Sequence, residues 1–300
     1  AALLAWACRE RQRTEPPQVR VEVASGTRDE TGPELVAEAP QPAGRELRDK
    51  ILGVNAHVVV LKFSVDFSEY RSVLDQVRGV AGVAAVAPFT LGPMKLTARR
   101  GTAEVIVKGV DPELMPAVLD LPKHIVEGSL AGLRLVGAQA PPAIASGDAG
   151  ADAHPCDGAS GATELPGVVL GRTLARRLGL GIGACAELTD HDERFHLGPA
   201  TTLPFRVIAL FDVGFDEYDA KLAYVALHAW QALAGRGDSV TGVELRVEYV
   251  ERAGEVAQRI RSVLGESPYR TLDWRELNRG LFGPDPAASA PPPGAASAAP

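Results

Sequence analysis

The densest run of chemically competent side chains is Asp190-His191-Asp192-Glu193-Arg194-Phe195-His196, where imidazoles and carboxylates, the usual ligands of zinc, stand side by side. The two histidines are spaced His-x-x-x-x-His. That is one residue longer than the i, i+4 pair that puts two imidazoles on one helical face, and the segment reads as loop. An exposed polar loop explains the run better than a metal site, with a secreted zinc enzyme using His191 and His196 as a competing reading. A second acidic run, Asp212, Asp216, Glu217 and Asp219 around Gly214, Phe215 and Tyr218, would offer oxygens to calcium. It lacks the regular Asp-x-Asp-x-Asp-Gly…Glu ladder, so it reads as a structured acidic turn between strands. His57, His124 and His228 have no partner at ligand spacing, and His154 and Cys156 flank Pro155 in a loop.

Other chemistries have no starting residues. No Gly-x-x-x-x-Gly-Lys-Ser/Thr string is present, so the chain is not expected to bind or hydrolyse ATP by itself. Gly179-x-Gly181-x-Gly183 follows a helix pattern and enters a strand pattern, the reverse of a dinucleotide fingerprint, and no Gly-x-Ser-x-Gly elbow exists. The reading is therefore of a non-enzyme with no catalytic residues, no cofactor and no metal. A formal charge of -7 argues against nucleic acid, whose phosphates are tracked by clustered Lys and Arg. Cys8, Cys156 and Cys185 are too few and too scattered for a disulfide framework.

These side chains must be positioned by elements that periodicity reveals. Leu47, Ile51 and Leu52 have helical spacing, His57–Phe63 reads as a buried strand, and Ser68 is placed to cap a helix carrying Tyr70, Val73, Leu74 and Val77 on one face. Val83–Pro88 completes a β-α-β unit. Met94–Ala98 and Thr102–Val110 read as a hairpin, with Ala103, Val105 and Val107 alternating against Thr102, Glu104 and Lys108. Val168–Gly171, a helix over Arg172–Leu180, strands at Ala184–Leu188 and Phe205–Phe211, a strand at Lys221–Leu227 and a helix at His228–Ala234 suggest a second small sheet. Val243–Val247, a helix over Ala253–Leu264 with Val256, Ile260, Val263 and Leu264 inward, and Tyr269–Leu272 make a second β-α-β unit.

The expected organisation is α+β: a ferredoxin-like subdomain of two β-α-β halves, 45–120 and 241–281, interrupted by a second α/β subdomain at 121–240. That second subdomain would carry a long loop at 131–163 and a protruding hairpin at 189–204. Residues 1–44 and 282–300, rich in Pro, Ala, Gly and polar residues, read as linkers unable to build a core. Ala1–Cys8 is apolar but far short of the roughly 20 residues a membrane helix needs, and reads as the last turns of a span.

Several strings taken together resemble the periplasmic domain of lipoprotein-releasing ABC-transporter permeases of the LolC/LolE type, within the wider group of MacB-like extracytoplasmic domains. They are Leu47-Arg48-Asp49-Lys50-Ile51-Leu52-Gly53-Val54-Asn55-Ala56-His57-Val58-Val59-Val60, Gly82–Pro88, Val107-Lys108-Gly109-Val110-Asp111-Pro112 and Pro166-Gly167-Val168-Val169-Leu170-Gly171 with Leu174-Ala175. Val213-Gly214-Phe215-Asp216-Glu217-Tyr218-Asp219 and Asp273-Trp274-Arg275-Glu276-Leu277-Asn278 complete the set, in family order from about Arg45 to Phe282.

The resemblance implies a non-catalytic domain of porter-like and second α/β subdomains, standing in the periplasm between two spans of an inner-membrane permease. Its implied partners are a cytoplasmic ATPase subunit acting through the parent permease, a second permease copy or paralogue, lipoprotein substrates and a periplasmic lipoprotein carrier. The carrier would dock on a loop between two strands, here His191, Asp192, Glu193, Arg194, Phe195, His196, Leu197, Gly198 and Pro199. Phe195 and Leu197 offer apolar contacts, Gly198-Pro199 fixes a turn, and flanking charges would steer a partner. The alternative from a different class is a mechanotransmission domain of a MacB-like or FtsX-like permease acting on efflux or on cell-wall enzymes.

Overall fold

The computed structural model describes residues 52, 55–64, 66–134, 165–190, 201–265 and 267–278. Nearly all lie in one compact unit, Lys50–Glu276; of the other unit, Ala1–Asp49 with Leu277–Pro300, only Leu277 and Asn278 are described. The expected linkers at 1–44 and 282–300, most of the helix around Leu47–Leu52 and the stretch 135–163 lie outside the described residues.

In chain order the first elements are β1 (Val58–Lys62), α1 (Tyr70–Arg78), β2 (Val83–Ala98), β3 (Gly101–Val110), α2 (Met115–Val118) and β4 (Ile125–Gly128). Then come β5 (Gly167–Gly171), α3 (Arg172–Leu178), β6 (Cys185–Asp190), β7 (Thr201–Phe211), α4 (Asp216–Lys221), β8 (Leu222–Ala226) and α5 (Leu227–Ala234). The last are β9 (Gly242–Val247), α6 (Ala253–Leu264), β10 (Tyr269–Asp273) and the short α7 (Trp274–Leu277).

These strands form a single mixed sheet in the order β10-β1-β9-β2-β3-β8-β5-β7-β4, with β6 pairing both β2 and β7. The second small sheet expected from sequence is therefore a continuation of the first. Within β10-β1-β9-β2 every neighbouring pair is antiparallel. Because β6 bridges β2 and β7, the pairings among β2, β3, β8, β5, β7 and β6 close into a ring. Side chains from those six strands and from α3 and α5 make one hydrophobic cluster.

The helices follow their apolar stripes. In α1, Tyr70, Val73, Leu74 and Val77 are buried, the i, i+3, i+4, i+7 pattern read from sequence. Its N-cap is Glu69, not Ser68, whose hydroxyl turns instead to the Asp66 carboxylate. In α6 the buried face is Ala253, Val256, Ala257 and Ile260. Val263, expected inward, is exposed, because small alanines rather than the next valine complete the stripe. Phe63 lies beyond the end of β1 and is also exposed, Lys221 closes α4 rather than opening β8, and 130–134 is a 3-10 turn burying Leu133.

Proline explains where sequence reading stopped strands too early. Val83–Pro88 and Met94–Ala98, read as separate strands, are one 16-residue strand. Odd-numbered residues of β2 turn their backbone toward the β9 and β6 side: Phe89 accepts from Thr241 N–H, and Leu91 N–H donates to Thr241 Oγ1. Pro93 shares that direction and falls in the gap between the last β9 rung, Phe89↔Gly242, and the first β6 rung, Lys95↔Thr189. The nitrogen of Pro88 faces the other way, just past the final β3 rung at Phe89↔Val110. Neither removes a ladder hydrogen bond, so the strand continues. Pro204 in β7 behaves alike, since it faces the β5 side before that ladder begins at Gly167↔Arg206.

The continuous β2 needs close packing over its middle. Trp230 of α5 donates its Nε1–H to Val107 O at 3.2 Å and lies over Gly92 and Gly109. A Cβ on Gly109 would fall 2.1 Å from Thr90 Oγ1 and 2.7 Å from the Trp230 Cβ. Only glycine lets the indole approach the sheet there.

Candidate docking site

The nine residues singled out for partner binding are carried by the β6–β7 hairpin. Its register runs from Cys185↔Arg206 to Asp190↔Thr201, so residues 191–200 form the connection. Thr189, Asp190 and Thr201–Pro204, read as part of a polar loop, are strand residues instead. Their alternation was masked by polar side chains that pair across the ladder, and the Thr189 and Thr202 hydroxyls lie 2.9 Å apart near its open end.

The hairpin base is fixed by packing on one face. Ala186 and Leu188 of β6 and Leu203 and Phe205 of β7 are buried in the main cluster, and Leu96 of β2 pairs opposite Leu188. Asp190, one step past Leu188 on the same face, is buried too. On the alternate face Glu187 is half-buried, and desolvation raises its carboxyl above the ordinary range while Lys95 opposes the rise. His191, Asp192, Glu193, Arg194, Phe195, His196, Leu197, Gly198 and Pro199 themselves lie outside the described residues.

The acidic run, read as a turn between strands, is a turn only over 212–215; Asp216, Glu217 and Asp219 lie in the first turn of α4, whose N-cap is Phe215. Asp219 is buried, accepting Val213 N–H at 3.0 Å and Phe215 N–H at 3.2 Å on its two oxygens. Asp212 accepts Gly214 N–H at 2.9 Å and pairs with Arg172 at 2.9 Å. The Gly214 bond, then its carboxyl neighbour and Arg172, hold Asp212 below the usual range, whereas burial first and Asp212 second push Asp219 up. Both carboxyls thus organise backbone. Among the described residues no group of three or more His, Cys, Asp or Glu could hold a metal ion, and no helix is long and apolar enough to cross a membrane.

Two features escaped sequence reading. Lys108, assigned to the polar side of its strand, is buried with its Nζ 2.6 Å from Glu244 of β9, across the intervening β2. Phe89 lies under the ammonium at 5.3 Å from the ring centroid. No sequence signal separated Lys108 and Glu244 from their strand neighbours, because β3 also carries Glu104 and β9 also carries Arg246. The other is Cys185, which is disulfide-bonded at the start of β6.

No protein-family model matches the chain. Over 245 residues it is 25% identical to the lipoprotein-releasing system transmembrane protein LolC of Xylella fastidiosa strain Temecula1, covering 79% of this chain and 51% of that protein. LolC of strain 9a5c gives the same identity and coverage. The chain spans about half the length of these relatives and over that stretch is LolC-like. The extracellular domain of YknZ, a noncanonic ABC-type transporter from Gram-positive bacteria, aligns with a TM-score of 0.43 and 12% identity, over 72% of this chain and 99% of that one. The periplasmic region of MacB from Actinobacillus actinomycetemcomitans aligns with a TM-score of 0.44 and 11% identity, over 80% of this chain and 99% of that one.

Proposed function

We propose that this chain is the periplasmic domain of a lipoprotein-releasing ABC-transporter permease of the inner membrane, and that the β6–β7 hairpin presents residues 191–199 to a periplasmic lipoprotein carrier. The observation that carries the reading is the LolC similarity, which extends over 245 residues rather than resting on one motif. The strand order β10-β1-β9-β2, with α1 and α6 each joining two of its strands, supports a ferredoxin-like, porter-type subdomain in which the two β-α-β halves meet. The disulfide at Cys185 favours an oxidising compartment.

On this reading the domain does no covalent chemistry. ATP hydrolysis belongs to a separate cytoplasmic subunit, reached through the parent permease and its second copy or paralogue, and lipoproteins are the cargo. The hairpin suits docking because its base is pinned by buried Leu188, Leu203 and Phe205, so a connection held there pays little further ordering entropy at its ends. A photo-crosslinking amino acid at position 195, in the parent permease in cells, tests the site. Crosslinks to a soluble periplasmic lipoprotein carrier are expected; crosslinks only to the permease itself or to envelope enzymes would reject it.

A further inference from the structure

Cys185 opens β6 and is disulfide-bonded within the single chain. Its partner is therefore Cys8 or Cys156, the other two cysteines of the sequence, both of which lie outside the described residues. The strands around Cys185 discriminate between them.

The β6–β7 register sets Cys185 opposite Arg206, and the β5–β7 register sets Gly167 against the same Arg206. Two strand spacings, roughly 10 Å, thus separate Cys185 from Gly167. Arg206 N–H donates to Pro166 O at 2.9 Å and Leu165 is buried, so the chain is anchored beside Cys185 from Leu165 onward. Cys156 is nine residues upstream of Leu165, a length that spans up to about 30 Å and covers the gap with slack. Loop closure favours the same residue. Cys156 precedes Cys185 by 29 positions and Cys8 precedes it by 177, a difference worth roughly 15-fold in closure probability for a flexible chain. Ala186 and Leu188 face the hydrophobic cluster, so Cys185, half-buried, falls with Glu187 on the alternate face. A bridge on that face displaces nothing from the cluster.

We propose that Cys156–Cys185 is a disulfide staple that ties the 135–164 segment to the base of the β6–β7 hairpin. The hairpin base is then held on both faces, by buried Ala186, Leu188, Leu203 and Phe205 on one and by a covalent tie on the other. Cys8 is left as the odd thiol. Forming the bond removes two protons and two electrons from the Cys156 and Cys185 thiols. Both pass to the disulfide of a thiol–disulfide oxidoreductase or of oxidised glutathione, which becomes two thiols after a mixed disulfide is resolved by the second cysteine thiolate. The staple does not depend on carrier docking, and no carrier enters its test.

Trypsin separates the three cysteines, because Arg9 follows Cys8 while Arg172 and Arg177 stand between Cys156 and Cys185. The full 300-residue chain, equilibrated natively with oxidised glutathione, is denatured without reductant, alkylated with iodoacetamide, digested and mapped by mass spectrometry. The expected map holds one linked pair, 135–172 with 178–194, that dithiothreitol separates, together with an alkylated or glutathionylated Cys8. A Cys8–Cys185 link, or a Cys185 found alkylated or carrying only glutathione, would overturn the proposal. Thermal melts add a second readout: dithiothreitol should lower the wild-type midpoint and leave the already lowered Cys156→Ser unchanged, while Cys8→Ser keeps the wild-type response. Loss of that response in Cys8→Ser would equally reject the staple. If Cys156→Ser does not fold, the wild-type peptide map decides.

Discussion

Lys108 and Glu244 are the most consequential residues that neither the β6–β7 hairpin nor the acidic run absorbs. Both charges are buried, and burial raises the Glu244 carboxyl while Lys108 draws it back down. Removing one partner strands the other charge in the interior, so Glu244→Gln should cost about 3–5 kcal/mol in urea denaturation. Lys108→Met combined with Glu244→Leu should recover most of that loss, because two apolar side chains need no desolvation compensation. His57 supplies a pH signature. Burial, then Arg246, lowers its pKa from the ordinary 6.5, and its Nδ1 accepts Val247 N–H, a bond that needs the unprotonated nitrogen. A depressed folded-state pKa contributes stability that is full above 6.5 and lost as pH falls toward the folded value. Thermal melts should show that acid-side loss in the wild type and a smaller one in His57→Asn. Such environments were illegible in the sequence because strand alternation assigns a lysine to solvent by default, whereas β3 from Val105 to Val110 is buried on both faces.

At the scale of elements, the helices of seven or more residues in the described part were read, the short helices α2, α4 and α7 were not, and strands were cut short. Period 3.6 located α1 and, in α6, Val256 and Ile260 of a buried face that Ala253 and Ala257 complete. Strand limits failed at Pro88, Pro93 and Pro204, where the residue type signals a break but the backbone direction removes its cost. Pro93→Ala should therefore shift stability by no more than about 1 kcal/mol, and in the destabilising direction, as the unfolded chain gains freedom. A loss well beyond that in chemical denaturation would contradict the direction assigned to Pro93. Gly109→Ala should be worse by contrast, about 1–3 kcal/mol, because the added methyl meets Thr90 and Trp230. The polar ends of β6 and β7 were missed for another reason: cross-strand pairing of Thr189 with Thr202 holds the ladder where no apolar alternation marks it.

For the whole molecule, β2 is the member shared by the β9 pairing and the β6 pairing, so the β10-β1-β9 end of the sheet is joined to the β6–β7 hairpin by one continuous strand. The single sheet could not be foreseen from local patterns, because β6 joining both β2 and β7 is a long-range pairing with no local signature. The central claim is that residues 191–199 dock a lipoprotein carrier, and calorimetric titration of the cognate carrier into the wild-type chain and into Phe195→Ala/Leu197→Ala tests it most directly. Circular dichroism should find both proteins equally folded. The account predicts saturable binding by the wild type, weakened by roughly 1–4 kcal/mol in the double variant; equal affinities for the two chains, or no binding by the wild type, would contradict it.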